Sequence, residues 1–97
     1  MTQETAQSVD PRSVTVLILT YNEEKHLARA IESVRPFAAQ VVVVDSFSTD
    51  GTVAIARALG ATVLQNRWEN NHARQFNWGL DHAPITGQWV MRLDADE

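Results

Sequence analysis

The hydrophobic pattern of this chain consists of four short apolar runs separated by stretches with helical spacing. The runs occupy positions 14–20, 41–44, 61–64 and 88–93, and the first of them is rich in β-branched residues. Continuous apolar runs of this length are typical of strands that are covered on both faces, as in a parallel sheet. We therefore predict four strands, of which the first, second and fourth are buried and the third is short.

Each stretch between the runs predicts one helix. Asn22 is expected to cap the first helix and Pro36 to end it. Gly60 stands where the residue after the second helix belongs. The third helix is predicted from His72 to His82. The apolar positions on which these helices depend are Leu27, Ile31 and Val34; Val53, Ala56 and Leu59; and Ala73, Phe76 and Leu80 as the inner face of the third.

Strands and helices alternate in the order β-α-β-α-β-α-β. This order predicts an α/β domain with a mostly parallel sheet and right-handed crossovers. Residues 1–13 are polar and aperiodic, and are predicted to form a flexible tail before the domain at 14–97.

Composition narrows the class of protein. The chain has 97 residues, 44% of them apolar, which suits one folded domain. Its net charge of -4 argues against nucleic acid as a partner. It lacks cysteine, an apolar run of membrane-spanning length and a signal-peptide pattern. We expect a cytoplasmic protein, and a peripheral position at the inner membrane face stays open.

Polar residues follow three of the predicted strands. They are Thr20-Tyr21-Asn22-Glu23, Asp45-Ser46 and Asp94-Ala95-Asp96. The carboxyl ends of parallel strands share one edge of a sheet, where ligands bind in open α/β folds. Asp94 and Asp96 are two residues apart and point to the same side of an extended backbone. They are candidate oxygen ligands for a metal such as Mg²⁺.

These residue types together describe a nucleotide-diphosphate site. Asp45 is able to accept hydrogen bonds from a base or ribose, or to cap the next turn. Tyr21 is able to stack on a base or to pack on the first helix. Arg74 is able to contact a base or phosphates, or to lie exposed in solvent on its helix. Neither a G-x-G-x-x-G motif nor a P-loop follows the first strand, so a metal must neutralise the phosphates.

In these motifs and their order along the chain, the sequence resembles the family 2 glycosyltransferases. The matching segments are residues 14–24, 41–52, 71–79 and 89–97. Within that family, two segments are similar to those of lipopolysaccharide-core glycosyltransferases. They are Asn77-Trp78-Gly79 and the final Leu-Asp-Ala-Asp-Glu. The resemblance implies the nucleotide-binding half of a GT-A fold, with a Rossmann-like sheet.

The resemblance also implies the ligands. These are a UDP-sugar donor, a glycan or lipid-linked acceptor such as lipopolysaccharide core, and Mg²⁺ or Mn²⁺. Asp45 would contact uracil and Asp96 would bind the metal, with Asp94 near the ribose or the metal. Many members have a second acidic residue where Ser46 stands. The predicted nucleotide-binding residues are Thr20, Tyr21, Asn22, Glu23, Asp45, Ser46, Arg74 and Asp94.

A further implication concerns what lies outside this sequence. In inverting members a carboxylate base acts from a position well after the metal motif, here beyond Glu97. We therefore expect a donor-binding fragment that is inactive alone. The implied strand order 3-2-1-4 leaves the fourth strand at an edge, which favours a homodimer.

Two other classes fit the strand pattern less well. A receiver-like signalling domain needs an acidic pair after the first strand and an aspartate after the third, where this chain has Thr20-Tyr21 and Gln65-Asn66. A nucleotidyltransferase shares the sheet and the use of metal. Its usual glycine-rich loop is missing after the first strand.

Overall fold

The computed structural model describes residues 14–85 and 89–95. The predicted tail, Gly87, Asp96 and Glu97 lie outside these residues. None of the helices in this part of the chain is long and apolar enough to cross a membrane. The predicted order of elements is confirmed: β1 Val14–Thr20, α1 Leu27–Val34, β2 Gln40–Asp45, α2 Thr52–Ala58, β3 Thr62–Gln65, α3 His72–His82 and β4 Trp89–Asp94.

The four strands form one parallel sheet in the order β3-β2-β1-β4, as expected. The register places Thr20 beside Asp45 and Leu19 beside Asp94. Asp45 is also beside Gln65 on its other side. The carboxyl ends of all four strands therefore meet at one edge, although their residues are far apart in sequence.

Both faces of the two central strands, β1 and β2, are covered. β3 and β4 at the two edges are only partly buried, so the prediction of a buried fourth strand is wrong. Val16, Ile18 and Val43 pack with apolar residues of α1 and α2 on one face. Leu17 and Val44 point to the opposite face, towards α3. Successive residues of a strand alternate between faces, so β1 and β2 must be apolar at nearly every position to fill both cores. This explains the continuous apolar runs in the sequence.

The predicted start of α1 is wrong. The helix begins at Leu27, and His26 precedes it without a side-chain cap. Asn22 instead adopts a left-handed backbone, with φ of 52°. Its side-chain oxygen accepts a hydrogen bond from the N–H of Thr49 at 2.8 Å. Because that oxygen is used between two loops, it is not available to cap the helix.

The inner face of α3 also differs from the prediction. Ala73 and Leu80 are exposed, while Gln75 and Gly79 are buried. A Cβ atom on Gly79 would lie 2.9 Å from side-chain atoms of both Leu17 and Val44. Of the predicted inner positions, Phe76 does pack against the Leu17 and Val44 side of the sheet, and the helix comes close to the sheet at its smallest residue, Gly79.

Candidate functional site at the carboxyl edge of the sheet

A cleft of about 490 Å³ opens where β1, β2 and β4 end. The strand register explains why residues from three separate segments meet there. Among the residues predicted to bind a nucleotide, the cleft contains Thr20, Tyr21, Glu23, Ser46 and Asp94. Its other lining residues are Leu19, Trp68, His72 and Ala95.

Trp68 and His72 form a wall of the cleft that the sequence reasoning missed. Their rings meet edge to face, with centroids 4.9 Å apart. The indole N–H of Trp68 donates a hydrogen bond to Asn70 at 3.1 Å. From sequence alone, packing is the ordinary role of a tryptophan such as Trp68, and a surface or capping position is the ordinary role of His72. A usable signal was present, because Trp68 is the only apolar residue in the loop 66–71.

Asp45, which precedes Ser46 at the end of β2, is fully buried, with 0% of its surface exposed, and does not line the cleft. Its carboxylate accepts hydrogen bonds from the hydroxyls of Thr20 and Ser48 at 2.7 and 2.5 Å. The N–H of Ser48 and the amide of Gln65 donate to it at 2.8 and 3.3 Å. These donors compensate the buried charge. The carboxylate caps the following turn, and its direct contact with a base stays a prediction.

The loops after β1 and β2 are joined by hydrogen bonds that run in both directions. Ser48 accepts from the N–H of Asn22 at 2.7 Å, and Asn22 accepts in turn from Thr49. The hydroxyl of Thr52 accepts from the N–H of Glu23 at 2.8 Å. Asn22 therefore belongs to the support of the cleft rather than to its lining.

Asp50 carries a shifted pKa in the same pair of loops. Desolvation acts to raise the pKa of this carboxyl. Hydrogen bonds from the hydroxyl and N–H of Thr52, and from the N–H of Glu24, outweigh that effect and lower the pKa below its ordinary value. The charged form of Asp50 is thus the one that these loops stabilise.

Asp94 is the candidate metal ligand that the structure describes. Its carboxylate lies 3.7 Å from the guanidinium of Arg92, and both side chains are partly exposed. Within residues 14–85 and 89–95, no three histidine or acidic side chains converge on one point. A hard oxygen ligand at a strand end still fits Mg²⁺ or Mn²⁺, which take few protein ligands and complete their shell with phosphates and water.

Arg74 does not reach this cleft. It lines a separate depression of about 480 Å³, together with Arg67 and Asp81. Its guanidinium lies 3.2 Å from the carboxylate of Glu69, and both side chains are exposed. A contact between Arg74 and a nucleotide stays a prediction.

Gln75 is a second residue that the sequence reasoning missed. It is 2% exposed, on the buried face of α3. Its amide nitrogen lies 2.9 Å from Ser46 Oγ and 3.2 Å from the carbonyl oxygen of Asn66. Its amide oxygen accepts from Asn66 Nδ2 at 2.9 Å. Gln75 thereby connects α3 to the residues that follow β2 and β3.

The residues that form this site lie in a segment that matches a known sequence family. The model of the family described as glycosyl transferase family 2 matches residues 15–97. The chain belongs to glycosyl transferase family 2. The resemblance seen in the sequence is confirmed at this level, and the family decides against the signalling and nucleotidyltransferase alternatives. The similarity to lipopolysaccharide-core enzymes stays a prediction.

Curated relatives in family 2 are much longer than this chain. An uncharacterised glycosyltransferase of Rickettsia typhi is 38% identical over 86 residues, which are 89% of this chain and 28% of the relative. The glycosyltransferase SunS of Bacillus subtilis is 30% identical over 89 residues, 90% of this chain and 21% of the relative. The chain thus spans less than a third of the length of these relatives.

Solved structures give the same family 2 fold. The glucosyl-3-phosphoglycerate synthase of Mycobacterium tuberculosis in complex with UDP is 27% identical, with a TM-score of 0.76. The similarity covers 97% of this chain and 36% of the synthase. The same enzyme with Mn²⁺, UDP and glucosyl-3-phosphoglycerate has a TM-score of 0.73 at 26% identity, over 95% of this chain and 36% of the synthase. The predicted Rossmann-like, GT-A-type sheet is confirmed.

Proposed function

We propose that this chain is the donor-binding part of a glycosyltransferase that uses a nucleotide-diphosphate sugar, with a UDP-sugar as the donor. The observation that carries the proposal is the cleft at the carboxyl edge of the sheet. There the ends of β1, β2 and β4 bring Thr20, Ser46 and Asp94 together. Family membership supports sugar transfer as the reaction class.

The lining of the cleft suits each part of such a donor. Tyr21 and Trp68 offer exposed rings, on which a base or a sugar is able to stack. Ser46 offers a hydroxyl group at the end of β2. The UDP and Mn²⁺ held by the mycobacterial synthase, which has the same fold, support uridine as the nucleoside.

Asp94 and Asp96 are the proposed ligands of Mg²⁺ or Mn²⁺. Such a metal, when bound, neutralises the diphosphate and stabilises it as a leaving group. No P-loop follows β1, so the proposal assigns phosphate binding to this ion and not to a glycine-rich loop.

The remaining steps are proposals for the whole enzyme. A hydroxyl group of a glycan or lipid-linked acceptor, such as lipopolysaccharide core, attacks the anomeric carbon with inversion. A general base removes its proton. None of the described acidic residues is assigned that role. A lipid-linked acceptor suits action at the cytoplasmic face of a membrane.

Calorimetric titration of this chain with UDP tests the proposal. We expect saturable binding with Mn²⁺ that is lost on chelation. Asp94→Asn should weaken the Mn²⁺-dependent affinity by about tenfold or more, because a metal ligand is removed. Asp81→Asn, an exposed change on α3 outside the cleft, is the matched control and should bind as the wild type does. Binding that is absent, or that is independent of metal, would overturn the proposal.

A further inference from the structure

Basic side chains collect on one surface of the molecule, which is formed by residues 25–35 and 52–58 of α1, α2 and their ends. The basic residues of this surface are Lys25, Arg29, Arg35 and Arg57, and all four are exposed. In these two ranges, which the structure describes in full, Glu32 is the only acidic residue. Four positive charges and one negative charge give the surface a net charge of +3, whereas the whole chain carries -4. We call this surface the basic face.

The packing of the two helices directs these charges outwards. Leu27 and Ile31 of α1 are buried against the sheet. Arg29 is two residues from each of them, about 200° around the helix, and therefore lies on the side of α1 away from the sheet. α1 and α2 contact each other on the same side of the sheet. The guanidinium of Arg35 donates a hydrogen bond to the carbonyl oxygen of Leu59, just after α2, so the two helices form one continuous surface.

We propose that the basic face binds the surface of an anionic lipid bilayer. A bilayer is flat and contacts one side of a protein, so the charge of that side decides the interaction rather than the charge of the whole chain. Each lysine or arginine held near an anionic bilayer strengthens binding by about fivefold. The carboxylates of Glu23 and Asp94 do not oppose this contact, because they line the cleft at the carboxyl edge of the sheet.

The position of the basic face relative to the cleft gives this contact a use. Glu23 lines the cleft, and Lys25 follows it by two residues at the start of the basic face. A chain attached through this face therefore holds the cleft beside the bilayer surface, within reach of the lipid-linked acceptor of the proposed function. Binding to the bilayer itself requires no nucleotide and is tested without one.

Cosedimentation of this chain with lipid vesicles tests the proposal. The wild type should bind vesicles that contain equal amounts of phosphatidylglycerol and phosphatidylcholine, and should not bind vesicles of phosphatidylcholine alone. Binding should be lost at about 1 M salt, where the Debye length falls to about 3 Å.

Glu32→Lys distinguishes the basic face from the charge of the whole chain. It removes the one acidic residue of the face, and should strengthen binding to the anionic vesicles by about tenfold. Asp81→Lys is the matched control, because it changes the net charge equally on α3, which covers the opposite side of the sheet. This control should bind as the wild type does. A gain in affinity cannot result from misfolding.

Charge reversal in the other direction provides the second test. Arg29→Glu should weaken binding by about tenfold. Arg67→Glu, which makes the same change in an exposed residue of the loop before α3, should bind as the wild type does. Circular dichroism checks that both variants fold.

The outcomes decide the proposal without reference to the proposed function. Absence of binding to anionic vesicles overturns it, as does equal binding to vesicles without phosphatidylglycerol. Equal effects of Glu32→Lys and Asp81→Lys would also overturn it, because net charge and not this face would then govern binding. The titration with UDP tests the proposed function separately, so either proposal is able to fail alone.

Discussion

Three residues next to the cleft have a left-handed backbone: Asn22, Phe47 and Asn70, with φ of 52°, 60° and 58°. Asparagine tolerates this conformation, whereas a bulky side chain adopts it at a cost of about 1–2 kcal/mol. Phe47 is 56% exposed, so burial of its ring does little to offset that cost. The conformation is imposed by the turn in which Ser48 bonds to Asp45.

Phe47→Gly should therefore stabilise the chain. Glycine adopts positive φ freely, although its greater freedom in the unfolded chain reduces the gain. We expect the free energy of unfolding to rise by about 0.5–1 kcal/mol in urea denaturation.

Phe47→Ala is the matched control for this prediction. It removes the ring but keeps a Cβ atom in the left-handed conformation, so it should not stabilise. If both variants lowered the stability equally, packing of the Phe47 ring would be more important than backbone strain.

At the scale of elements, the sequence was most informative where burial decides the pattern. β1 and β2 are covered on both faces, and their apolar runs revealed them. The face of α3 was predicted only at Phe76, because the helix otherwise buries a glycine and a glutamine whose partners come from the sheet and from two loops. The place of Trp68 in the cleft was not predictable either, because only the fold brings its ring there.

The contact of α3 with the sheet leads to a second prediction at this scale. Gly79→Ala would place a methyl group 2.9 Å from Leu17 Cδ1 and Val44 Cγ2. Both neighbours are fully buried, and the β-branched Val44 is stiff. Overpacking costs about 1–3 kcal/mol, against a gain in helix propensity of about 1 kcal/mol. We expect a net loss of about 1 kcal/mol in urea denaturation.

Gln75 lies on the same helix. A displacement of α3 by Gly79→Ala should therefore weaken UDP binding as well. Asn77→Ala is the control, since this exposed residue lies on the same helix away from the sheet. It should leave stability and binding nearly unchanged. A Gly79→Ala variant as stable as the wild type would show that the helix moves away from the sheet without cost.

At the scale of the whole molecule, the parallel topology of the sheet forms the cleft and also leaves the strand β4 at an edge. The cleft exists because strands distant in sequence end side by side. The same sheet, in the part of the chain that the structure describes, gives β4 a neighbour on one side only. Trp89, at the start of that strand, is 49% exposed. An edge with free backbone groups and an exposed aromatic ring favours pairing with another chain.

We therefore expect this chain to self-associate through β4, with a mass by light scattering that rises towards a dimer as concentration increases. Trp89→Lys should shift the chain towards monomer, because a charged residue on an edge strand opposes pairing. Phe37→Lys, which alters an exposed aromatic residue outside the sheet, should keep the wild-type behaviour. A monomer at every concentration would contradict the prediction, and loss of association only in Phe37→Lys would place the contact away from β4.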